Sequence, residues 1–162
     1  MLNIKVICLG NIKEKSMRDI LGEYEKRLSK YCKLDIIEIS DEKVPSSLSD
    51  TDIKNIKEIE SKKVIDKINK IGKAYIIALD LTGKEITSED FSKKINNIAT
   101  YESSTIVFLI GGTLGMSEEL LNICNEKISF SRFTFPHQLI RIFLLEQLFR
   151  AFKIQNNETY HH

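Results

Sequence analysis

Thr105-Ile-Val-Phe-Leu-Ile-Gly-Gly-Thr-Leu-Gly115 joins a β-branched apolar run to a loop with three glycines, and Met116-Ser117-Glu118-Glu119 follows as a helix start. A strand, a glycine loop and a helix in that order describe an α/β unit whose loop backbone must come close to something. A dinucleotide fingerprint is one reading, but its first glycine would fall on Leu109 or Ile110, which leaves only G-G-x-x-G. That fingerprint also belongs after the first strand of its unit, and this loop follows the fourth. Nor is it a P-loop, since neither Lys-Ser nor Lys-Thr comes next. A turn that needs positive φ and a pocket for another ligand both remain.

Outward from this loop, strands and helices alternate along the whole chain. Ile4–Leu9 reads as the first strand, Lys15–Lys30 as a helix with Ile20, Leu21, Tyr24 and Leu28 on one face, and Leu34–Ile39 as the second strand. Ser49 with Asp52 three residues on forms a capping box for a helix carrying Ile53, Ile56, Ile59, Val64, Ile68 and Ile71. Ala74–Leu79 is the third strand and Thr82-Gly83 a turn, after which Ser88 opens a helix through Phe91, Ile95 and Ile98. The fourth strand, Ser104–Ile110, leads into the glycine loop. Ser117 then caps a short helix, Lys127–Phe130 is a short fifth strand, and Pro136 opens a final helix to about Ile154. Alternation of this kind predicts a single-domain α/β fold over residues 1–162, with a mostly parallel sheet and helices on both faces.

The composition excludes several classes. At 162 residues, 42% hydrophobic and 29% charged, the chain suits one ordinary globular domain. No apolar run is long enough to span a bilayer and no cleavable leader is evident, so no membrane role is expected and the cytoplasm is the expected location. Cys8, Cys32 and Cys124 are odd in number and each lies in an apolar segment, which predicts buried thiols and no metal or disulfide. A net charge of +1 gives no global pull toward nucleic acid, so any RNA partner must meet a local field.

In open α/β sheets ligands collect at the carboxyl ends of strands. Leu79-Asp80, Gly111 and the segment after Phe130 all fall at such ends, and their convergence favours a ligand over a simple turn. The final helix is apolar on nearly every side, from Leu139 through Phe143 and Phe149 to Ile154, so it needs burial on two faces. In so small a domain the second face predicts a homodimer. His137 and Arg141 share a face near its start: the spacing suits a histidine that holds the loop and an arginine that snorkels from the core, while Glu146 and Arg150 form an i,i+4 pair.

SRFTFPHQLIRIFLLEQLFRAFKI followed by TYHH, with FLIGGTLG before it and EYEKRLSKYCKLDIIEI and YIIALDLTGKE in the first half, resembles the RlmH family of SPOUT-class methyltransferases across essentially the whole chain. The resemblance implies a C-terminal trefoil knot and an S-adenosylmethionine cofactor. The implied reaction is methylation at N3 of a pseudouridine in 23S ribosomal RNA, met in the large subunit or assembled ribosome. Matched motif by motif, the implied cofactor contacts are Leu79, Gly111, Phe130, Ser131, Arg132, Phe133, Thr134 and Phe135. It also implies a homodimer in which the C-terminal tail, residues 154–162, completes the partner's site, with Tyr160, His161 and Arg141 as the implied catalytic residues. One departure is that family tails often place Lys or Arg where this chain has His162, a side chain that is largely neutral at pH 7. A cofactor-binding RNA-associated factor without catalysis and a Rossmann-type oxidoreductase are the competing readings, the second weakened by the incomplete fingerprint.

Overall fold

A computed structural model describes residues 1–160 and shows eleven elements in the order expected. They are β1 (Leu2–Leu9), α1 (Lys15–Leu28), β2 (Cys32–Ile39), α2 (Asp50–Ile71), β3 (Tyr75–Glu85), α3 (Ser88–Asn97) with a π-helical turn over Ile98–Glu102, β4 (Thr105–Ile110), α4 (Glu118–Ile123), β5 (Glu126–Ser129) and α5 (His137–Gln155). The strands form one sheet in the order β2-β1-β4-β3-β5, and every pairing in it is parallel, beyond the mostly parallel sheet that alternation alone predicts.

The period-2 alternation of the strands explains the layers. Ile4, Val6 and Cys8 of β1 and Ile106 and Phe108 of β4 pack with α1, α3 and α5 on one face. Ile7, Leu9, Val107 and Leu109 face the other way, onto Val64 and Ile68 of α2 and Leu120 of α4. Local signals match their elements. Ser49 and Asp52 make the capping box of α2, and the Ser117 side chain accepts from the Leu120 N–H at the start of α4. Ser88 opens α3, and Thr87 before it caps the helix, accepting from the Asp90 N–H. All three thiols are free, and burial pushes Cys8 up to about 12, so it stays protonated in the core.

The departure with most bearing on function is in β3. The expected turn at Thr82-Gly83 is a bulge inside one 11-residue strand. Leu79 and Lys84 both pair with Ile128 of β5, so residues 80–83 are looped out between two points of contact with the same neighbour. Asp80 accepts from the Thr82 N–H and hydroxyl, which folds the bulge on itself. Gly83 is required there by proximity: a Cβ would stand 2.6 Å from the Ile128 backbone. Gly83→Ala is therefore expected to destabilise the fold by roughly 1–3 kcal/mol, the range for overpacking. Urea unfolding should show a lower midpoint with an unchanged slope; an unchanged midpoint would mean β3 and β5 can part without cost.

Candidate cofactor and catalytic site

Parallel strands deliver their carboxyl ends to one edge of the sheet, and the expected ligand-binding positions meet there. Leu79 of β3 pairs with Ile110 of β4 on one side and with Ile128 of β5 on the other. Gly111 follows Ile110 directly, and Phe130 follows β5, so the three loops adjoin across neighbouring strands. The segment 130–136 then leaves the β5 edge of the sheet and brings the start of α5 to the ends of β1 and β2. There His137 lies so close to Gly10 that a Cβ on Gly10 would stand 3.0 Å from its Cε1. In doing so the segment crosses the ends of β3 and β4, three strand spacings or roughly 14 Å.

Within the crossover the side chains divide by task. Phe130 is half-buried, edge-on to Phe91 at 6.4 Å, so its side chain belongs to the core. Ser131 bends the backbone: its carbonyl accepts from the Ser129 hydroxyl at 2.8 Å, and its own Oγ accepts from the Phe133 N–H at 3.0 Å. Arg132 is 93% exposed and reaches Glu85 only at 3.8 Å. Phe133, 77% exposed, and Thr134 project outward. Phe135 packs edge-on to Phe143 at 5.4 Å.

The glycine loop has a different logic from a single positive-φ turn. Only Gly115 has positive φ, at 81°. Gly111 is needed by contact, since a Cβ would come 3.1 Å from the Met116 side chain and 3.2 Å from the Gly115 backbone. Gly112 makes an isolated antiparallel bridge with Gly115, whose N–H bonds to its carbonyl at 3.1 Å.

Arg141 does not snorkel. It is 2% exposed and donates to Glu38 of β2 at 2.8 Å and to the Gly10 carbonyl at 3.1 Å. Glu38 also receives Arg18 at 3.1 Å. Burial alone would raise the Glu38 carboxyl, but hydrogen bonds and charge from Arg141 and Arg18 outweigh it and hold the group below its usual value. Beside this pair lies a polar cleft of about 250 Å³ lined by Gly10, Asn11, Lys13, Glu14, Asp41, His137 and Gln138. Burial and the Arg141 charge lower the pKa of His137 against the opposing pull of Asp41, so its imidazole is neutral at pH 7.

The tail lies elsewhere. Tyr160 folds back along its own α5, edge-on to Phe149 at 4.9 Å, under the Arg150 guanidinium at 4.9 Å, with its hydroxyl 3.3 Å from Glu146. Burial, then Tyr24 and Glu146, push its phenol up to about 12. Glu146 and Phe149 stand nine and twelve residues from His137, roughly 14–18 Å along the helix. Within one chain Tyr160 therefore does not reach the crossover. His161 and His162 lie outside the described residues. Two acidic groups that motif reading passes over also stand here: Glu38, and Glu60 of α2, which is only 3% exposed. Their signal was a charge in a segment that otherwise buries: Glu60 continues the four-residue spacing Ile56, Glu60, Val64, Ile68.

A sheet of this order, with a glycine loop and a crossover at its carboxyl ends, is the frame of a methylase-type α/β fold. The family described as "Predicted SPOUT methyltransferase" matches residues 2–161, and the chain belongs to that family. It is 50% identical over 160 residues, 99% of each chain, to ribosomal RNA large subunit methyltransferase H 1 of Clostridium perfringens. It is 48% identical, with the same coverage, to ribosomal RNA large subunit methyltransferase H of Bacillus pumilus. Among solved structures, a "probable methylase family protein" of Haemophilus influenzae shares the fold with a TM-score of 0.55 at 10% identity, over 98% of this chain and 70% of that one.

The Arg141–Glu38 pair carries the prediction of this site. Glu38→Ala leaves a buried guanidinium without its carboxylate and is expected to cost about 3–5 kcal/mol. Because the folded Glu38 carboxyl is held below its unfolded value, its contribution is present above about pH 4.5. It is lost as pH falls through the folded value. Unfolding of wild type and Glu38→Ala from pH 7 to pH 3 should therefore show the gap closing; a gap independent of pH would place the stabilisation elsewhere.

Proposed function

We propose that this protein is an S-adenosylmethionine-dependent methyltransferase that acts at N3 of a pseudouridine in large-subunit ribosomal RNA, and that it works as a homodimer. The observation that carries the reading is the adjacency of Leu79, Gly111 and the crossover 130–136 at the strand ends, in a chain of this family. A trefoil knot, with 130–136 threaded beneath the loop after β4, is part of the same proposal and is supported by the course of the crossover across the ends of β3 and β4.

The residues fit such a cofactor. Close packing of Gly111 on Met116 and Gly115, and of Gly112 on Glu60 and Leu9, fixes the loop backbone that would face the cofactor. Leu79 and the backbone of Phe130–Phe135 supply apolar surface and peptide groups around it. When bound, S-adenosylmethionine supplies an electrophilic methyl on a sulfonium, so the protein's task is alignment and removal of one proton. Alignment of two reactants is worth up to about 7–11 kcal/mol in well-oriented systems. Exposed Phe133 offers a stacking face to an unpaired base, and exposed Arg132 a cation for phosphate.

The second subunit completes the site. Tyr160 stands far from its own crossover, and α5 leaves Leu139, Ile140 and Ile142 half-buried and Phe143 37% exposed beside exposed Phe133. An apolar strip at the start of α5 suits a second copy, whose tail would bring Tyr160 and His161 to the crossover. His161 is assigned to receive the N3 proton and Tyr160 to orient the base by its hydroxyl. Arg141 acts by fixing the start of α5 and holding His137 neutral.

Two assays test this. Ribosomal subunits from a strain lacking the activity should accept a methyl group only if first pseudouridylated; equal labelling of uridine would sink the substrate assignment, and cofactor binding without transfer would mark an inactive factor. Mixing a chain that lacks residues 160–162 with a Gly111→Trp chain should restore about a quarter of wild-type activity, because half the dimers are mixed and each holds one complete site. No recovery on mixing would contradict a site shared by two chains.

A further inference from the structure

We infer that Glu60 is a positioning residue for the glycine loop, holding residues 111–115 in their ligand-receiving form, and that ligand binding and the charge on Glu60 oppose each other. The inference rests on the cofactor reading above and deepens it. The side chain rises from α2 beneath the loop: a Cβ on Gly112 would lie 3.3 Å from both of its carboxyl oxygens. A side chain at residue 112 would press on the Glu60 carboxyl.

The surroundings favour the acid over the carboxylate. Oε2 accepts one N–H, from Glu42 at 3.0 Å, while Oε1 is buried with no partner among the described residues. From the segment after β2, Asp41 and Glu42 face it with like charge; Lys63 on its own helix is the opposing cation, and its ammonium is engaged by Glu42 at 2.8 Å and the Ser40 carbonyl at 3.1 Å. On the loop side, Gly112 and Leu9 close the pocket, and Ser61 meets Ser117 at 2.6 Å. Burial first, with Asp41 and Glu42 adding to it, raises this carboxyl above its ordinary value.

Function follows from what each charge state would do to the loop. A neutral Glu60 lets the loop backbone at Gly112 keep its place above α2. An ionised Glu60 has unfilled acceptor positions in a dry pocket, and the Gly112 backbone is the loop segment that stands against it. Ionisation draws this part of the loop down onto α2 and out of the ligand's reach. Binding therefore weakens as pH rises through the titration of Glu60.

The test measures S-adenosylhomocysteine binding by calorimetry between pH 5.5 and 9, and follows the Glu60 carboxyl by NMR of carboxyl-labelled protein with and without that ligand. The wild-type Kd should rise relative to that of Glu60→Gln by roughly three- to tenfold across the range. Glu60→Gln should match wild type at the acid end; titration of the ligand's own amine is common to both and cancels. Linkage requires the reciprocal effect, so the ligand should move the Glu60 titration to higher pH. This readout needs no variant. Parallel binding profiles, or a Glu60 titration that the ligand leaves unmoved, would overturn the inference alone. Absence of binding by wild type at every pH would overturn it together with the cofactor reading.

Discussion

The buried guanidinium of Arg141 fixes where the last helix begins, and most of the candidate site depends on that. A charge at 2% exposure is tolerable only when paired, and its partners come from two different places, Glu38 in β2 and the carbonyl of Gly10 after β1. The start of α5 is thereby tied to the opposite side of the sheet from β5, the strand that precedes it. Residues 130–136 therefore join the β5 edge of the sheet to the ends of β1 and β2. That salt bridge thus sets the course of the segment that would wrap the cofactor.

The same edge of the sheet collects three kinds of close approach, each bought with a missing side chain. Gly83 admits the Ile128 backbone, Gly111 admits Met116 and Gly115, and Gly112 admits Glu60. These glycines act mainly by removing bulk, and positive φ is confined to Gly115 within the loop. The result is a stretch of closely approached backbone beside Leu79 and the start of the crossover. Charge is sparse at its rim, where Arg132 stands almost free of partners. A near-neutral chain can still engage RNA through such local cations when two subunits contribute them.

Much of this was legible in the sequence, for identifiable reasons. Alternating apolar runs with Ser49, Ser117 and Pro136 at helix starts located the five strands and the five α-helices, because period and capping are local signals. Leu79, Gly111 and Phe130 could be placed together because parallel strands end on one side. The β3 bulge was read as a turn, since Thr82-Gly83 carries turn chemistry and only the Ile128 backbone reveals that the strand continues. Arg141 was read as an amphipathic side chain at a core edge; its true partners lie 103 and 131 residues away and no local pattern signals them. Glu60 was passed over because its one clue, an acid in an apolar stripe, is weak without the contact to Gly112.

The central claim is that the strand-end crossover of one subunit and the C-terminal tail of another form one site. A photoreactive benzophenone in place of Phe133, in dimers mixed from isotopically heavy and light chains, measures this directly. Mass spectrometry should find the crossover peptide of one chain joined to the peptide around Tyr160 of the other, as heavy–light pairs in statistical proportion. Links confined to peptides of the same isotope, or none to the tail at all, would contradict it.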